Sequence, residues 1–418
     1  MKEGDFPPWR GLVAYILGTL FFGYGFILRV SPSVMVNELM AEFAVGATVL
    51  GFLTALYFYT YASLQLPVGV FLDRLGPRRL IGSAILLCAA GSALFAIAPQ
   101  LNVAYVGRLM IGAGAAFSYV GAMTIAARWF PSHRFALLTG IIQMMGMAGA
   151  VFGQAPLGAA IAEFGWRNSL MGVSIAGLIL SALVFMLVKD QGPYSRPKQG
   201  SDLGILAGMR SVMRNRQSWY LAIVGMIQTG PMLAFGGLWG VPFLMTAYGL
   251  SKAEASFFTS IMFIGWGASA PIAGWVSDRI KSRKKPLMVG CILAISSILV
   301  VTQIPGLPLW LIAILFFLNG MGGSTMVLTF AAAREANAVD TQSTAMGFVN
   351  MCVVVSGAFY PPLMGLILDT NWTGETVASA RVYEFSAYSQ AAYVMIVGYI
   401  VGLVAALLVR ESNCRQYG

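Results

Sequence analysis

Gly69-Val70-Phe71-Leu72-Asp73-Arg74-Leu75-Gly76-Pro77-Arg78-Arg79 returns later in the chain as Gly274-Trp275-Val276-Ser277-Asp278-Arg279-Ile280-Lys281-Ser282-Arg283-Lys284. Gly69 maps to Gly274, Asp73 to Asp278 and Arg78 to Arg283, a constant displacement of 205 residues. A segment duplicated in register marks an internal repeat, so the chain reads as two related halves. Each copy ends an apolar run, which puts its aspartate at the C-terminal end of a helix, against the negative pole of that helix's dipole. Such a carboxylate seeks a donor elsewhere: Asp73 is expected to meet the start of the eleventh apolar segment, and Asp278 that of the fifth. Gly69 and Gly274 would admit close helix approach, while Arg74, Arg78, Arg279 and Arg283 pair with acids or lipid headgroups. These residues form the expected gate.

Working outward, the rest of the chain is unsuited to water. Of 418 residues, 58% are apolar and 10% charged, and mean hydropathy is +0.77; a soluble protein carries roughly 25% charged residues. A soluble enzyme and a disordered chain are both excluded. Apolar segments fall at about 11–34, 46–72, 80–98, 102–127, 135–160, 168–188, 218–245, 252–277, 286–304, 308–333, 342–368 and 388–409, most of them near the roughly 20 residues needed to cross a bilayer. They must be helices, because a lone strand leaves its backbone unsatisfied in lipid. The first segment is too long for a signal-peptide core and is read as a retained span.

With both termini on one side, that side holds 21 of the 26 Lys and Arg residues and the other side three. Cytoplasmic loops collect basic residues, so both termini are expected in the cytoplasm and the net charge of +10 signals topology rather than nucleic acid. The expectation is an all-α membrane protein with twelve transmembrane helices in two six-helix bundles, residues 1–188 and 218–418. Residues 189–217 form a cytoplasmic linker with a short amphipathic stretch near Leu203 to Met213. A bacterial inner membrane and a monomer are expected. Cys88, Cys291, Cys352 and Cys414 are scattered, and His133 is the only histidine; no metal or disulfide spacing emerges. No phosphate-cradling loop points to ATP, and no nucleophile–base set points to an enzyme. No cofactor is expected.

All sixteen acids lie at span ends or in loops, whereas Arg29 and Arg108 fall inside spans. A charge in a span costs at least about 2.5 kcal/mol. Arg29 therefore reads as a cavity-facing guanidinium for a carboxylate or phosphate. The alternatives are snorkelling to headgroups or pairing with Glu38 or Glu42. Arg108 reads either as a structural donor to nearby carbonyls or as a gating group. Tyr24, Tyr57, Tyr61, Tyr119, Gln143, Gln154, Gln228, Trp239, Trp266, Asn319, Asn350 and Tyr360 are possible cavity-lining residues. Tyr61, Gln143, Trp239, Asn319 and Asn350 join Arg29 as the expected solute-binding set.

The duplicated loop resembles the signature loop of the major facilitator superfamily. Arg108-x-x-x-Gly112-x-Gly114 resembles that family's second motif, and Gly165-Trp166-Arg167 is also typical of it. Gly146-x-x-Gly149-x-x-x-Gly153, followed by Pro156 and Gly158, resembles its antiporter motif without the Gly-Pro pair. Leu28 to Pro32, Tyr61 to Pro67, Trp129-Phe130-Pro131, Leu238 to Pro242 and Tyr383 to Ser389 are similar to the branch with the lysosomal dipeptide transporter and bacterial phagosomal nutrient transporters. Arg29 also matches the first-span arginine of the organic anion:cation symporters. Their neighbouring Asp and span-4 Glu are replaced by Leu28 and Ala115, which weakens proton coupling. The resemblance implies two bundles rocking about a central site and transport of a small organic anion such as an amino acid, short peptide or organic acid. Uniport, exchange and proton symport all remain open. Drug or metabolite efflux, and a non-transporting nutrient receptor, are the competing readings.

Overall fold

Among the described residues, twelve helical spans are long and apolar enough to cross a membrane: Trp9–Phe43, Ala47–Leu64, Gly76–Ala96, Leu101–Trp129, Leu137–Phe164, Trp166–Leu187, Arg216–Tyr248, Lys252–Arg279, Lys284–Gln303, Leu309–Glu335, Val339–Thr370 and Phe385–Leu408, here spans 1 to 12. They come from a computed structural model that describes residues 8–65, 68–131, 134–190, 192–194 and 205–416, with only the backbone described at 8, 69–70, 73–75, 135–136, 205–207 and 343. The side chains of Asp73 and Arg74, the surroundings of Gly69, His133, and linker residues 195–204 lie outside the described residues. A helix at Ile205–Arg214 precedes span 7, within the stretch expected to be amphipathic. A two-stranded hairpin, Thr376–Val377 with Ala380–Arg381, lies between spans 11 and 12.

Several spans are broken where the sequence weakens the helix. Span 1 passes through a 3-10 turn at Ser31–Met35, around Pro32, which has no amide hydrogen to donate. Span 7 widens into a π turn at Phe235–Trp239, just after Pro231. Spans 4 and 10 each pause after a glycine cluster, at Ala116–Phe117 and at Thr325–Met326. Spans 1 and 7, like spans 4 and 10, hold equivalent places in the two halves, so the repeat extends to the helix breaks.

Contacts divide the chain into two compact units, residues 1–31 with 56–200 and residues 32–55 with 201–418. In the first unit, serines stitch span 6 to span 3: Ser174 Oγ donates to the Ala89 carbonyl and Ser181 Oγ to the Gly82 carbonyl, both at 2.8 Å. Arg167 of the Gly-Trp-Arg motif donates to the Ala96 and Ala98 carbonyls, at 2.7 and 3.0 Å. The motif thus supplies cationic donors to the exposed carbonyls at the C-terminal end of span 3.

Both signature loops use the same local device. Gly76 has φ +76° and the equivalent Lys281 φ +51°, each placing a left-handed residue before the next helix. In the first unit the Arg78 amide donates to Asp190 Oδ1 at 2.8 Å. In the second, the Arg283 amide donates to Glu411 Oε1 at 2.9 Å. An acid just past the last span of each half thereby caps the helix that follows its signature loop, where free amides and the positive dipole end favour an anion. Partial burial pushes the Glu411 carboxyl up. Hydrogen bonds from Ser282 and from the Arg283, Asn413 and Lys284 amides outweigh this and hold it below its ordinary value of 4.5.

The capping charge of Glu411 contributes stability above pH 4.5 and loses it as the pH falls through the lowered folded value. Glu411→Gln should therefore melt at a lower temperature than the parent at pH 7. The difference should shrink as the pH falls below about 4.5. A difference that stayed constant with pH would show that the charge does not matter.

Candidate functional site

Arg29 occupies the last turn of the first regular helix, Pro8–Val30. Phe26, three residues earlier, falls on the same face. Span 2 contributes Tyr57, Phe58 and Tyr61; Tyr57 and Tyr61, one turn apart, stack with centroids 5.8 Å apart. The Arg29 guanidinium carbon lies 4.1 Å from the Phe26 centroid, 5.1 Å from Tyr61, 5.3 Å from Tyr57 and 5.8 Å from Phe58. Nε donates to the Tyr57 hydroxyl at 3.2 Å. Each aromatic face attracts a cation by about 0.5–2 kcal/mol, which offsets part of the cost of removing the charge from water.

No carboxylate among the described residues forms an ion pair with Arg29. Glu38, one of the acids that could have neutralised it, is instead paired with Lys252. The guanidinium is thus surrounded by rings, which carry no neutralising charge.

Arg108 explains the local backbone. In a regular helix the Leu28 carbonyl would accept from residue 32, but Pro32 has no amide hydrogen. Arg108, fully buried, fills the gap: its Nη1 donates to the Leu28 carbonyl at 2.9 Å, alongside Ser31 Oγ at 3.1 Å. Its guanidinium carbon also lies 5.3 Å from the Tyr57 ring. Two intramembrane arginines therefore share one tyrosine, and Arg108 secures the residue immediately before Arg29. Gly112, the second motif's glycine, packs without a Cβ against the backbone of Tyr57. Arg108 and Gly112 thus position the cage, while Gly114 packs against Ala84 and Cys88 of span 3.

The other expected residues are dispersed. Tyr61 is buried in the cage. Gln143, on span 5, is half-buried. In the second unit Trp239 is fully buried, its indole donating to the Pro361 carbonyl at 3.1 Å. Asn319 donates to the Ala294 carbonyl at 3.3 Å and to Ser297 Oγ at 3.2 Å, tying span 10 to span 9. Gln228 does similar work, donating to Thr325 Oγ1 at 2.8 Å. Asn350 is half-buried on span 11. Phe26 and Phe58 were not singled out from sequence. The i, i+3 spacing of Phe26 and Arg29 was the available signal for the first; Phe58 gave none.

Among the gate residues, Asp278 accepts from Arg283 Nη1 at 2.7 Å. Arg283 Nη2 donates to Glu335 at 2.8 Å, and Ser412 Oγ donates to the same carboxylate at 2.6 Å. Burial disfavours the Arg283 charge, but its hydrogen bonds to Glu335 and Asp278 more than compensate and raise its pKa. The partner seen for Asp278 belongs to its own loop. Arg279 lies over Trp275, 5.3 Å from its ring. Gly274 faces open space rather than a close helix neighbour, since a Cβ there would meet nothing within 4 Å. Arg78 donates from Nε to the Phe185 carbonyl at 2.7 Å.

The chain is 24% identical over 386 residues to the "Probable L-galactonate transporter" of Escherichia coli K12, covering 84% of this chain and 82% of that one. It is 23% identical over 381 residues to the "Gentisate transporter" of Corynebacterium glutamicum, covering 87% and 82%. In fold it is similar to a bacterial homolog of the human lysosomal transporter Spinster, with a TM-score of 0.79 at 18% identity and 97% coverage of both chains. The family model of the Major Facilitator Superfamily matches residues 15–240 and 221–413. With twelve spans, two signature loops and this match over nearly its full length, the chain belongs to the Major Facilitator Superfamily of membrane transporters.

Proposed function

We propose that this transporter carries a small organic anion, a sugar acid or aromatic acid being the best fit, and that Arg29 holds its carboxylate. One observation carries this reading: a half-buried guanidinium caged by four aromatic rings with no carboxylate of the described residues paired to it. Arginine is always charged at physiological pH and pairs with carboxylates through two parallel hydrogen bonds. The Nη edge of Arg29 is suited to that pairing, and the rings around it offer apolar faces for the rest of the solute. The galactonate and gentisate relatives are named for such acids, which supports the same class.

Tyr61, Gln143 and Asn350 would complete the solute's surroundings, while Trp239 and Asn319 hold the helices behind them. Residues 1–188 and 218–418 act as two six-helix bundles about a cytoplasmic linker, 189–217. Gly69, Asp73, Arg74, Arg78, Arg108, Gly274, Asp278, Arg279 and Arg283 serve the gate. The basic-residue bias supports both termini on the cytoplasmic side of a bacterial inner membrane, with the protein acting as a monomer. With no acid in mid-span, uniport or exchange accounts for the charges; a coupled proton would travel on the solute carboxylate or an acid at a span edge.

Cation efflux is disfavoured because the cage already holds a fixed cation. A thermal-shift screen of the purified protein tests the proposal. Galactonate, gentisate and related acids should raise the melting temperature, since a ligand selective for the folded state stabilises it. Their amides or lactones should not. Equal stabilisation by the neutral analogues would overturn the proposed anion site.

A further inference from the structure

We propose that Asp369 is the gating residue of the face opposite the signature loops, closing it by capping the N-terminus of span 2. Asp369 ends span 11, and its carboxylate receives five hydrogen bonds. Oδ1 accepts from the Ala47 amide at 3.0 Å, from the Tyr383 hydroxyl at 2.6 Å and from Arg381 Nη1 at 3.1 Å. Oδ2 accepts from the Thr48 amide at 2.8 Å and from Thr48 Oγ1 at 2.6 Å. The Tyr383 hydroxyl also accepts from the Ala47 amide at 3.0 Å. Ala47 and Thr48 are the first residues of span 2, whose free amides and positive dipole end favour an anion.

The helices below the cap are built for this contact. Positions 47 and 51 meet 365 and 361 in antiparallel register. A Cβ on Gly51 would lie 2.6 Å from the Pro361 carbonyl oxygen, and one on Gly365 would strike the Ala47 backbone. Gly46 leaves room for the carboxylate and Arg381, since its Cβ would be 2.5 Å from Asp369 Oδ1 and 2.7 Å from Arg381 Nη1. The ion pair between Lys252 and Glu38 adds a second tie between the 32–55 segment and the rest of this unit.

The geometry inverts the expected role of the signature loop. There, an acid ending span 2 is expected to meet the start of span 11; here, an acid ending span 11 meets the start of span 2. Together with the cap expected of Asp73, this cap would give each face its own electrostatic latch. A transporter that opens one face at a time would make one latch as it releases the other. Asp369 thus acts on the equilibrium between states and touches no solute.

Spin labels at Ala44→Cys, before span 2, and Val377→Cys, after span 11, in a Cys352→Ser, Cys414→Ser background, report the separation of the start of span 2 from the end of span 11. Asp369→Asn keeps the shape but loses the charge and turns half of the acceptor into a donor. It should shift the distance distribution toward the wider population by about fivefold to tenfold, the scale of losing a charged N-cap. Thr48→Val, which removes one donor, should shift it less in the same direction, and it decides the question should the first variant fail to purify. Unchanged distributions in a folded variant would overturn the latch. The measurement needs no solute, so its outcome is independent of the role given to Arg29.

Discussion

Arg29→Ala is expected to abolish uptake while leaving folded protein in the membrane. Removing one partner of a buried, hydrogen-bonded charge pair costs about 2–5 kcal/mol of binding, a loss of roughly thirtyfold or more in transport efficiency. Stability should move the other way or hardly at all. The guanidinium donates to Tyr57 and has no ion pair among the described residues, so its removal relieves an uncompensated charge at the expense of that hydrogen bonding and the cation–π contacts. Arg29→Lys sharpens the test, because lysine keeps the charge but lacks the planar fork that grips a carboxylate and lies flat on rings. It should recover only part of the uptake. Proteoliposome uptake of a radiolabelled acid, beside size-exclusion profiles of both variants, reads these results. Undiminished uptake by a well-folded Arg29→Ala variant would remove the proposed anion site.

Gly149→Val should be the most damaging of the glycine replacements in span 5. A Cβ at 149 would strike the Gly23 carbonyl oxygen and lie 2.7 Å from the Gly23 carbonyl carbon and 2.8 Å from its Cα. These are backbone atoms, which cannot turn aside as a flexible side chain does. Gly153 meets span 1 one turn further on, where a Cβ would lie 3.0 Å from the Ile27 Cα. Overpacking of this kind costs about 1–3 kcal/mol, and here it would also push span 1, with Arg29, away from its place. Gly140 is the internal control, since a Cβ there meets nothing within 4 Å and Gly140→Ala should be neutral or slightly stabilising. Melting temperatures of the purified variants separate the two. Equal behaviour at 140 and 149 would show that the spacing between spans 1 and 5 is not set by this seam.

The glycine series of span 5 also shows how motif and meaning can part. Its sequence is similar to an antiporter motif, which raised efflux as a competing reading. In the structure it is the seam on which span 1 rests, whatever the direction of transport. The second motif fares similarly. Arg108 admitted either a structural or a gating role from sequence alone; its bond to the carbonyl orphaned by Pro32 supports a structural part beside the gating one proposed for it. Trp239 and Asn319 were expected beside the solute because polar and aromatic groups in a span suggest a cavity. Their donors are spent on Pro361, Ala294 and Ser297, the usual use of polar groups between helices in lipid.

Twelve spans, an internal repeat and two arginines inside spans were legible in the chain, because each depends on a local property. Apolar length sets whether a helix crosses a bilayer, a constant displacement is visible by alignment of the chain with itself, and the cost of a charge in lipid follows from its position in a span. What answers those charges was decided in three dimensions. Arg108 reaches Leu28 across 80 positions and Asp369 reaches Thr48 across 321, and the ring cage gathers two separate spans around Arg29. An isolated charge records only that it needs a partner. Which ring, carbonyl or helix end supplies it is settled when packing brings distant segments within a few ångströms, where hydrogen bonds and cation–π attractions act.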